Sequence, residues 1–457
     1  MANMKNLVNE QTMSVSSIDD AGKKNVVKPG KTKIQLIEQT GVACPQEEQD
    51  FEQPGCPSKF LMMCLNSIQN TLQHDGFISN EDDKPLFSDS WGIEFWKCYS
   101  IGKDILETSG TCSTIKQIAW MAATATDNIA RKDKEGLSMT SPFLLFLVPS
   151  QEKAIEVRSA CKPLKAHGIH TVSLHPGASI DHQVLGLKSC EPEFLVSTPE
   201  RLLELASLKA IDISGVSLLV VDGLDMFIKD GHVDIVNSIK QSISLSPQTV
   251  VFSDSLTNAS RTVVQNILGQ SICRLSLNNS IASQGACIVQ SVHICAFREE
   301  KLLKGIEILD QACGDWLHQQ SSKVLFIGGK DCNFAKLVPA INSKGYFVST
   351  NSDYCNSVVE NSESRPEVSI IDAKCISTTD LEEFEIVICS DLGHSIDNYI
   401  QILTRMARYT VSGVLHSFLT AEDAMLMGPL VEILEKCGQE VPEALRNLCH
   451  STQVPEH

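Results

Sequence analysis

From residue 58 onward the chain alternates two hydrophobic rhythms. The segment PSKFLMMCLNSIQNTLQHDGF carries apolar residues at helical spacing and stops near Gly76, which predicts an amphipathic helix closed by glycine. Beyond it, short and almost wholly apolar runs alternate with longer amphipathic ones. FLLFLV (143–148), HTVSL (170–174), EFLVST (193–198), SLLVVDG (217–223) and TVVFSD (249–254) are predicted strands, with helical stretches such as 151–166 between them. The stretch NNSIASQGACIVQ (278–290) is polar, and the alternation then restarts. Helix REEKLLKGIEILDQAC leads to strands KVLFIGG (323–329), YFVST (346–350), EIVICSD (385–391) and VLHSFL (414–419). Helices are predicted at 331–344, around 398–409, and ending near Cys437, while the Ser/Asn/Asp-rich stretch 351–380 reads as loop-heavy. Near-continuous apolar strands alternating with helices are the mark of parallel, doubly wound α/β sheets.

The segment before residue 58 lacks this rhythm. It is polar, with a basic cluster GKKNVVKPGKTK at 22–33 and an acidic run at 46–52, and it reads as a disordered tail. The Gly30-Lys31-Thr32 triplet in it follows no buried strand, and Asn25 stands where a phosphate loop would need its first glycine. The expected organisation is a tail at 1–57, one α/β domain at 58–280, a linker at 281–295 and a second α/β domain at 296–450. A chain of 457 residues with 42% apolar content has room for two such cores, at about 150 residues per domain.

Charge narrows the choice of partners. The net charge is −18, and an acidic body repels a phosphate backbone over long range, so any bound strand would need a local basic groove. Aromatic residues make up only 5% of the chain, leaving few platforms for stacked bases. The 17 cysteines form no C-x-x-C pair and lie scattered through apolar runs, as expected of reduced, buried thiols in a reducing compartment. The N-terminus has no apolar signal core and no run approaches a membrane span, so a soluble intracellular protein, nuclear or cytoplasmic, is expected.

Several short motifs fall at the strand ends in one order. They are VPSQEKA (148–154), HPGAS (175–179), VSTPERLLEL (196–205), LLVVDGLDMF (218–227) and VVFSDSL (250–256). In the second half come KVLFIGG, IVICSDLGHSID (386–397), YIQILTRMARYTVSG (399–413) and GQEVPEAL (438–445). In this order they resemble the motifs of the DEAD-box RNA helicases: PTRELA, the Gly-Gly element, TPGRL, the DEAD tetrad, SAT, motif IV, the ATDxxxRGxD motif, the arginine-rich motif VI and the family's closing helix and loop. The resemblance spans roughly 60–450 and implies two tandem RecA-like domains.

The same resemblance shows what has been replaced. Such a machine needs a phosphate loop whose glycines admit backbone N–H groups, whose Lys neutralises charge and whose Ser/Thr reaches Mg²⁺. The segment at 102–120 stands in that place. Against AxTGSGKT it keeps Gly110 and Thr114, but has Glu107 for the first small residue, Cys112 for the second glycine and Ser113 for the lysine. A carboxylate at Glu107 is expected to repel a polyphosphate. The tetrad reads Asp222-Gly223-Leu224-Asp225, keeping the Mg²⁺-holding Asp222 but losing the Glu that activates water. Trp91-Gly92 stand near the expected adenine-reading Gln. Arg405 and Arg408 coincide with the arginines that reach the γ-phosphate, and Asp397 with the motif V acid. The catalytic candidates are therefore Asp222, Arg405 and Arg408, and the ATP and Mg²⁺ cleft candidates Gly110, Thr114 and Asp397. Thr198, Arg201 and Gly177 are the nucleic-acid candidates, while Gln151 replaces an arginine and Ser253-Asp254-Ser255 replaces Ser-Ala-Thr.

Losses concentrated on the chemistry predict a non-hydrolysing helicase-like pseudoenzyme. It would bind single-stranded RNA or protein partners in RNA metabolism, with ATP and Mg²⁺ bound weakly or not at all. A divergent but active RNA-dependent ATPase and a protein-only scaffold remain the alternatives.

Overall fold

The computed structural model describes residues 56–452, apart from 78–83, 138–140, 277–279, 282–284, 315–322, 330–333, 351–366, 382–383 and six single positions (245, 255, 257, 270, 286 and 380). The expected tail, its basic cluster and Ser255 thus lie outside the described residues.

The first sheet holds seven strands: β1 (Asp104–Glu107), β2 (Leu144–Leu147), β3 (Thr171–Leu174), β4 (Phe194–Ser197), β5 (Leu218–Asp222), β6 (Gln248–Phe252) and β7 (Ile272–Arg274). Their order is β3-β4-β2-β5-β6-β1-β7, and all pairings are parallel. The second sheet holds β8 (Val289–Ile294), β9 (Lys323–Gly328), β10 (Phe347–Thr350), β11 (Glu367–Asp372), β12 (Phe384–Cys389) and β13 (Val414–Leu419). Its order is β10-β11-β9-β12-β13-β8, again parallel throughout.

The central strands are apolar through most of their length because each sheet is covered on both faces. In β2, Leu144 and Phe146 enter one core layer while Leu145 and Leu147 enter the other. β5 repeats this with Leu218 and Val220 against Leu219 and Val221. In the second sheet Leu325 and Ile327 face away from Val324 and Phe326. Strand alternation with period two sends each residue to the opposite face, so a continuous apolar run fills two cores at once.

Helices cover these faces with recognisable starts. Ser58 caps the helix Lys59–His74, its side chain accepting from the Leu61 N–H at 3.0 Å. Thr114 and Gln117 form a capping box at the head of Ile115–Lys134, so two orphan backbone donors are satisfied reciprocally. That helix is almost wholly buried through its first three turns, with Trp120 fully enclosed. A Cβ on Gly92 would overlap the Trp120 ring, which explains a glycine inside the helix Ser90–Ser100.

Every strand read from the sequence is present. Four more were missed. β8 lies within the stretch expected to be linker, and pairs along its whole length with β13. β11 lies within the stretch expected to be loop-heavy. β1 and β7 are short, and each ends on a charged residue, Glu107 and Arg274. Among the described residues no helix is long and apolar enough to cross a membrane.

Candidate functional site

The loops leaving β1, β2, β4, β5 and β6 meet at the carboxyl ends of the strands, where open parallel sheets place their ligands. β1 ends on Glu107, whose side chain is fully buried. Its carboxylate accepts from the Trp91 indole N–H, from the Ser109 backbone N–H at 2.7 Å and from Ser276 Oγ at 3.0 Å. The expected repulsive acid beside a polyphosphate is therefore turned inward and fully engaged. Trp91, standing near the expected adenine-reading position, stacks on Phe95 at 5.2 Å while it holds Glu107.

The loop 108–113 leads into the helix capped by Thr114. The Thr114 hydroxyl accepts from the Gln117 N–H at 3.3 Å and donates to Gln117 Oε1 at 3.0 Å, so it serves the cap. Gly110 is not among the glycines with positive φ, and a Cβ there would make only an ordinary contact, 3.8 Å from the Cys112 carbonyl oxygen. Nothing in its surroundings demands glycine.

β5 ends on Asp222, which is fully buried. Oδ1 accepts from the Ser113 backbone N–H and Oδ2 from the Ser113 hydroxyl, both at 2.6 Å. The residue in the lysine position thus grips the acid that would hold Mg²⁺. A cation does reach this place, but from another element. Lys153, on the helix Gln151–Cys161, donates to the Ser113 carbonyl at 2.5 Å and lies 3.9 Å from Asp222 Oδ2 and 3.1 Å from Glu156 Oε2. Burial pushes the Asp222 carboxyl above the usual range, and the Lys153 ammonium and Ser113 donors offset this only in part. Sequence reasoning missed Lys153, although in VPSQEKA the lysine occupies the leucine position of PTRELA.

Gly223, in place of the water-activating Glu, has φ +90°. A Cβ there would lie 2.9 Å from Cys112 Sγ and 3.3 Å from Pro149 Cγ. The two replacements are complementary: the thiol gained at 112 fills the space vacated at 223. Burial and the neighbouring Asp222 push the Cys112 thiol up to about 11, so it stays protonated at neutral pH and is no nucleophile. Asp225, which sequence reasoning left without a role, accepts from Ser253 Oγ at 3.1 Å and from the Asp254 N–H at 2.6 Å. It ties the exit of β5 to that of β6.

The three nucleic-acid candidates sit around one turn. Arg201 Nη1 donates to the Ala178 carbonyl at 3.0 Å and to Gln183 Oε1 at 3.1 Å, and its Nε pairs with Glu204 at 3.1 Å. Gly177 lies directly under Gln151, whose amide a Cβ would strike. Thr198 is buried, and its hydroxyl has no hydrogen-bond partner among the described residues.

In the second lobe, Arg405 and Arg408 lie on the helix Ile396–Tyr409. Arg405 donates to the carbonyls of Ile376 (2.6 Å), Thr379 (3.0 Å) and Ser377 (2.7 Å), pinning the turn after β11. Arg408 acts on the Cys273 thiol of β7, and its buried Nε has no hydrogen-bond partner among the described residues. Neither arginine makes a hydrogen bond or ion pair with Asp222 or with 108–113 among those residues. Asp397 sits exposed in the helix's first turn, accepting from Ser395 Oγ at 2.7 Å.

Two parallel, doubly wound sheets with loops converging at their carboxyl ends define a protein of tandem RecA-like domains. Residues 119–262 match the family model described as DEAD/DEAH box helicase. An ATP-dependent RNA helicase DBP3 of Vanderwaltozyma polyspora is 25% identical over 79% of this chain and 68% of its own length. A DEAD-box ATP-dependent RNA helicase 41 of Oryza sativa is 27% identical over 71% of this chain and 59% of its own. For a pre-mRNA-processing helicase prp5 of Emericella nidulans the figures are 24%, 70% and 28%. The chain thus spans from about a quarter to two thirds of the length of these relatives. Among solved structures, the RNA helicase Prp28 from Chaetomium thermophilum bound to ADP is 18% identical, with a TM-score of 0.48 over 89% of this chain and 93% of that one. The chain is thus similar to proteins named as DEAD-box RNA helicases.

Proposed function

We propose that this protein is a non-hydrolysing member of that family, acting as a single-stranded RNA-binding module in RNA metabolism. The observation that carries the reading is the state of Asp222. Its carboxylate is buried, both oxygens accept from Ser113, and the Lys153 ammonium lies beside it. A divalent cation coordinated there would have to displace donors already in place and bring a second positive charge against Lys153. The rest of the cradle offers no compensation. Thr114's hydroxyl serves the helix cap, the lysine position is Ser113, and the water-activating position is a glycine with a thiol packed over it. ATP with Mg²⁺ therefore does not fit these residues. RNA binding is supported by the likeness to proteins named as RNA helicases and by Gly177, Thr198 and Arg201 gathering around one turn.

Turnover of ATP with saturating single-stranded RNA tests the reading directly. The expected result is no phosphate release above the blank. RNA-stimulated release that disappears in Asp222→Ala would establish the active-ATPase alternative instead. Filter binding across a salt series separates the module from a protein-only scaffold, which would show no salt-dependent affinity for RNA.

A further inference from the structure

Acidic residues outnumber basic ones 56 to 38, yet one cavity of about 520 Å³ has three cations in its wall and no carboxylate among its lining residues. It opens between the helix Gln151–Cys161, the short 3-10 helix Lys162–His167 and the edge strand β3. Arg158, Lys162, Lys165, His170 and His175 line it. The first three are exposed and make no ion pair with any described carboxylate. Among the described residues, the one carboxylate hydrogen-bonded to the lining is Glu193, which is taken up by the His170 ring at 3.2 Å and the His170 N–H at 2.7 Å. Positive charge concentrated in a concave wall of an acidic protein focuses the field and draws in anions.

The position of the cavity narrows the choice of anion. His175 opens the turn that carries Gly177, and it feels both Arg158 on the cavity side and Arg201 on the other. Gln151, lying against Gly177, is the first residue of the same helix that carries Arg158. The cavity and the Gly177/Thr198/Arg201 turn thus share a rim. We propose that the cavity is a backbone-phosphate site for single-stranded RNA, extending the strand's footprint from that turn along the helix Gln151–Cys161 through Arg158, Lys162 and Lys165. This rests on the RNA-binding reading above. With aromatic side chains scarce and none in the wall, recognition is of phosphate, so binding is tolerant of sequence and steeply salt-dependent.

The test uses the full chain and the triple variant Arg158→Ala, Lys162→Ala, Lys165→Ala, with fluorescent single strands of about 6 and about 16 nucleotides, within the site sizes such grooves cover. All three residues are exposed, so a thermal melt matching the parent is the folding control. The variant is expected to bind the long strand at least about tenfold more weakly. Its plot of log affinity against log salt should be shallower by about 2, at roughly 0.7 for each phosphate left without a cation. Binding of the short strand, which the Gly177 turn alone can hold, is expected to change little. Replacing only the lysines, as Lys162→Arg with Lys165→Arg, should keep the parent slope. A parent that binds the long strand and a triple variant that binds it equally, with the same slope, would overturn the site and leave the RNA-binding reading standing. A parent that binds neither strand, or binds only a phosphoserine peptide through these residues, overturns both.

Discussion

Lys153 and Arg158 stand five positions apart on one helix and meet opposite fates. Lys153 points into the strand ends, 10% exposed, where Ser113, Glu156 and Asp222 surround it. Arg158 points outward into a cavity where no described carboxylate pairs with it. The difference teaches where this protein keeps charge available. Buried charge must be paired or hydrogen-bonded to exist at all, and once paired it has little left to offer a ligand. The strand ends around Asp222 have followed that logic to completion, whereas the cavity beside β3 keeps exposed cations that no described carboxylate pairs with.

The comparison breaks most sharply at Lys153. The change Lys153→Met leaves Asp222 buried without its cation, and removing one partner of a buried pair typically costs about 3–5 kcal/mol. Urea unfolding should show that loss, while Arg158→Ala should stay within about 0.5 kcal/mol of the parent. Pairing Lys153→Met with Asp222→Asn is expected to recover much of the stability, because no net charge is then left buried. An unrecovered double variant would mean that Lys153 acts through packing of its stem rather than its charge.

A smaller effect is expected at Gly223. Restoring the family carboxylate by Gly223→Glu forces a side chain onto a backbone at φ +90° and into Cys112 Sγ. The left-handed backbone costs about 1–2 kcal/mol, and overpacking adds about 1–3 kcal/mol. Adding Cys112→Gly should return the steric part and leave the backbone part. Neither variant is expected to hydrolyse ATP, because Asp222 stays gripped by Ser113. Measurable turnover in the double variant would show that the cradle opens more readily than its hydrogen bonds suggest.

The two regions were not equally legible in the sequence. The central strands announced themselves, since double-faced burial leaves FLLFLV, LLVV and IVIC no polar position. β8 did not: it is an edge strand, and VQSVHI mixes Gln, Ser and His with apolar residues, with Val289 exposed and Gln290 buried, so its polarity gave no clear rhythm. At the site, the missing lysine and glutamate could be read position by position. What filled the space could not. Glu107 finds Trp91 from 16 positions away and Asp222 finds Ser113 from 109, and one sequence carries no record of such pairings. The cavity was invisible for a related reason: Arg158, Lys162 and Lys165 stand close together in the sequence, but only folding of β3 against the helix gives them a concave wall.

The second lobe sharpens the comparison through protons. His416 on β13 lies 3.2 Å from His293 on β8, and the two rings stack at 5.4 Å. Burial first, and then its neighbour His293, depress His416 to about 4, while burial and Lys304 lower His293. Like Lys153, this pair is satisfied internally, but it is held in the neutral form. The unfolded chain takes up protons near the ordinary histidine value, about 6.5, and the folded chain does so only well below it. Stability should therefore be full above about pH 6.5 and fall as the pH drops towards about 4, by roughly 2–3 kcal/mol after discounting partial exposure. Urea midpoints taken across that window, parent against His416→Gln, isolate the contribution from that of the carboxylates. The variant is expected to lose most of the difference and to retain the smaller share that belongs to His293. Parallel pH profiles for parent and variant would show that His416 takes up its proton without loosening the sheet, and that the neutral pair is not what holds β8 to β13.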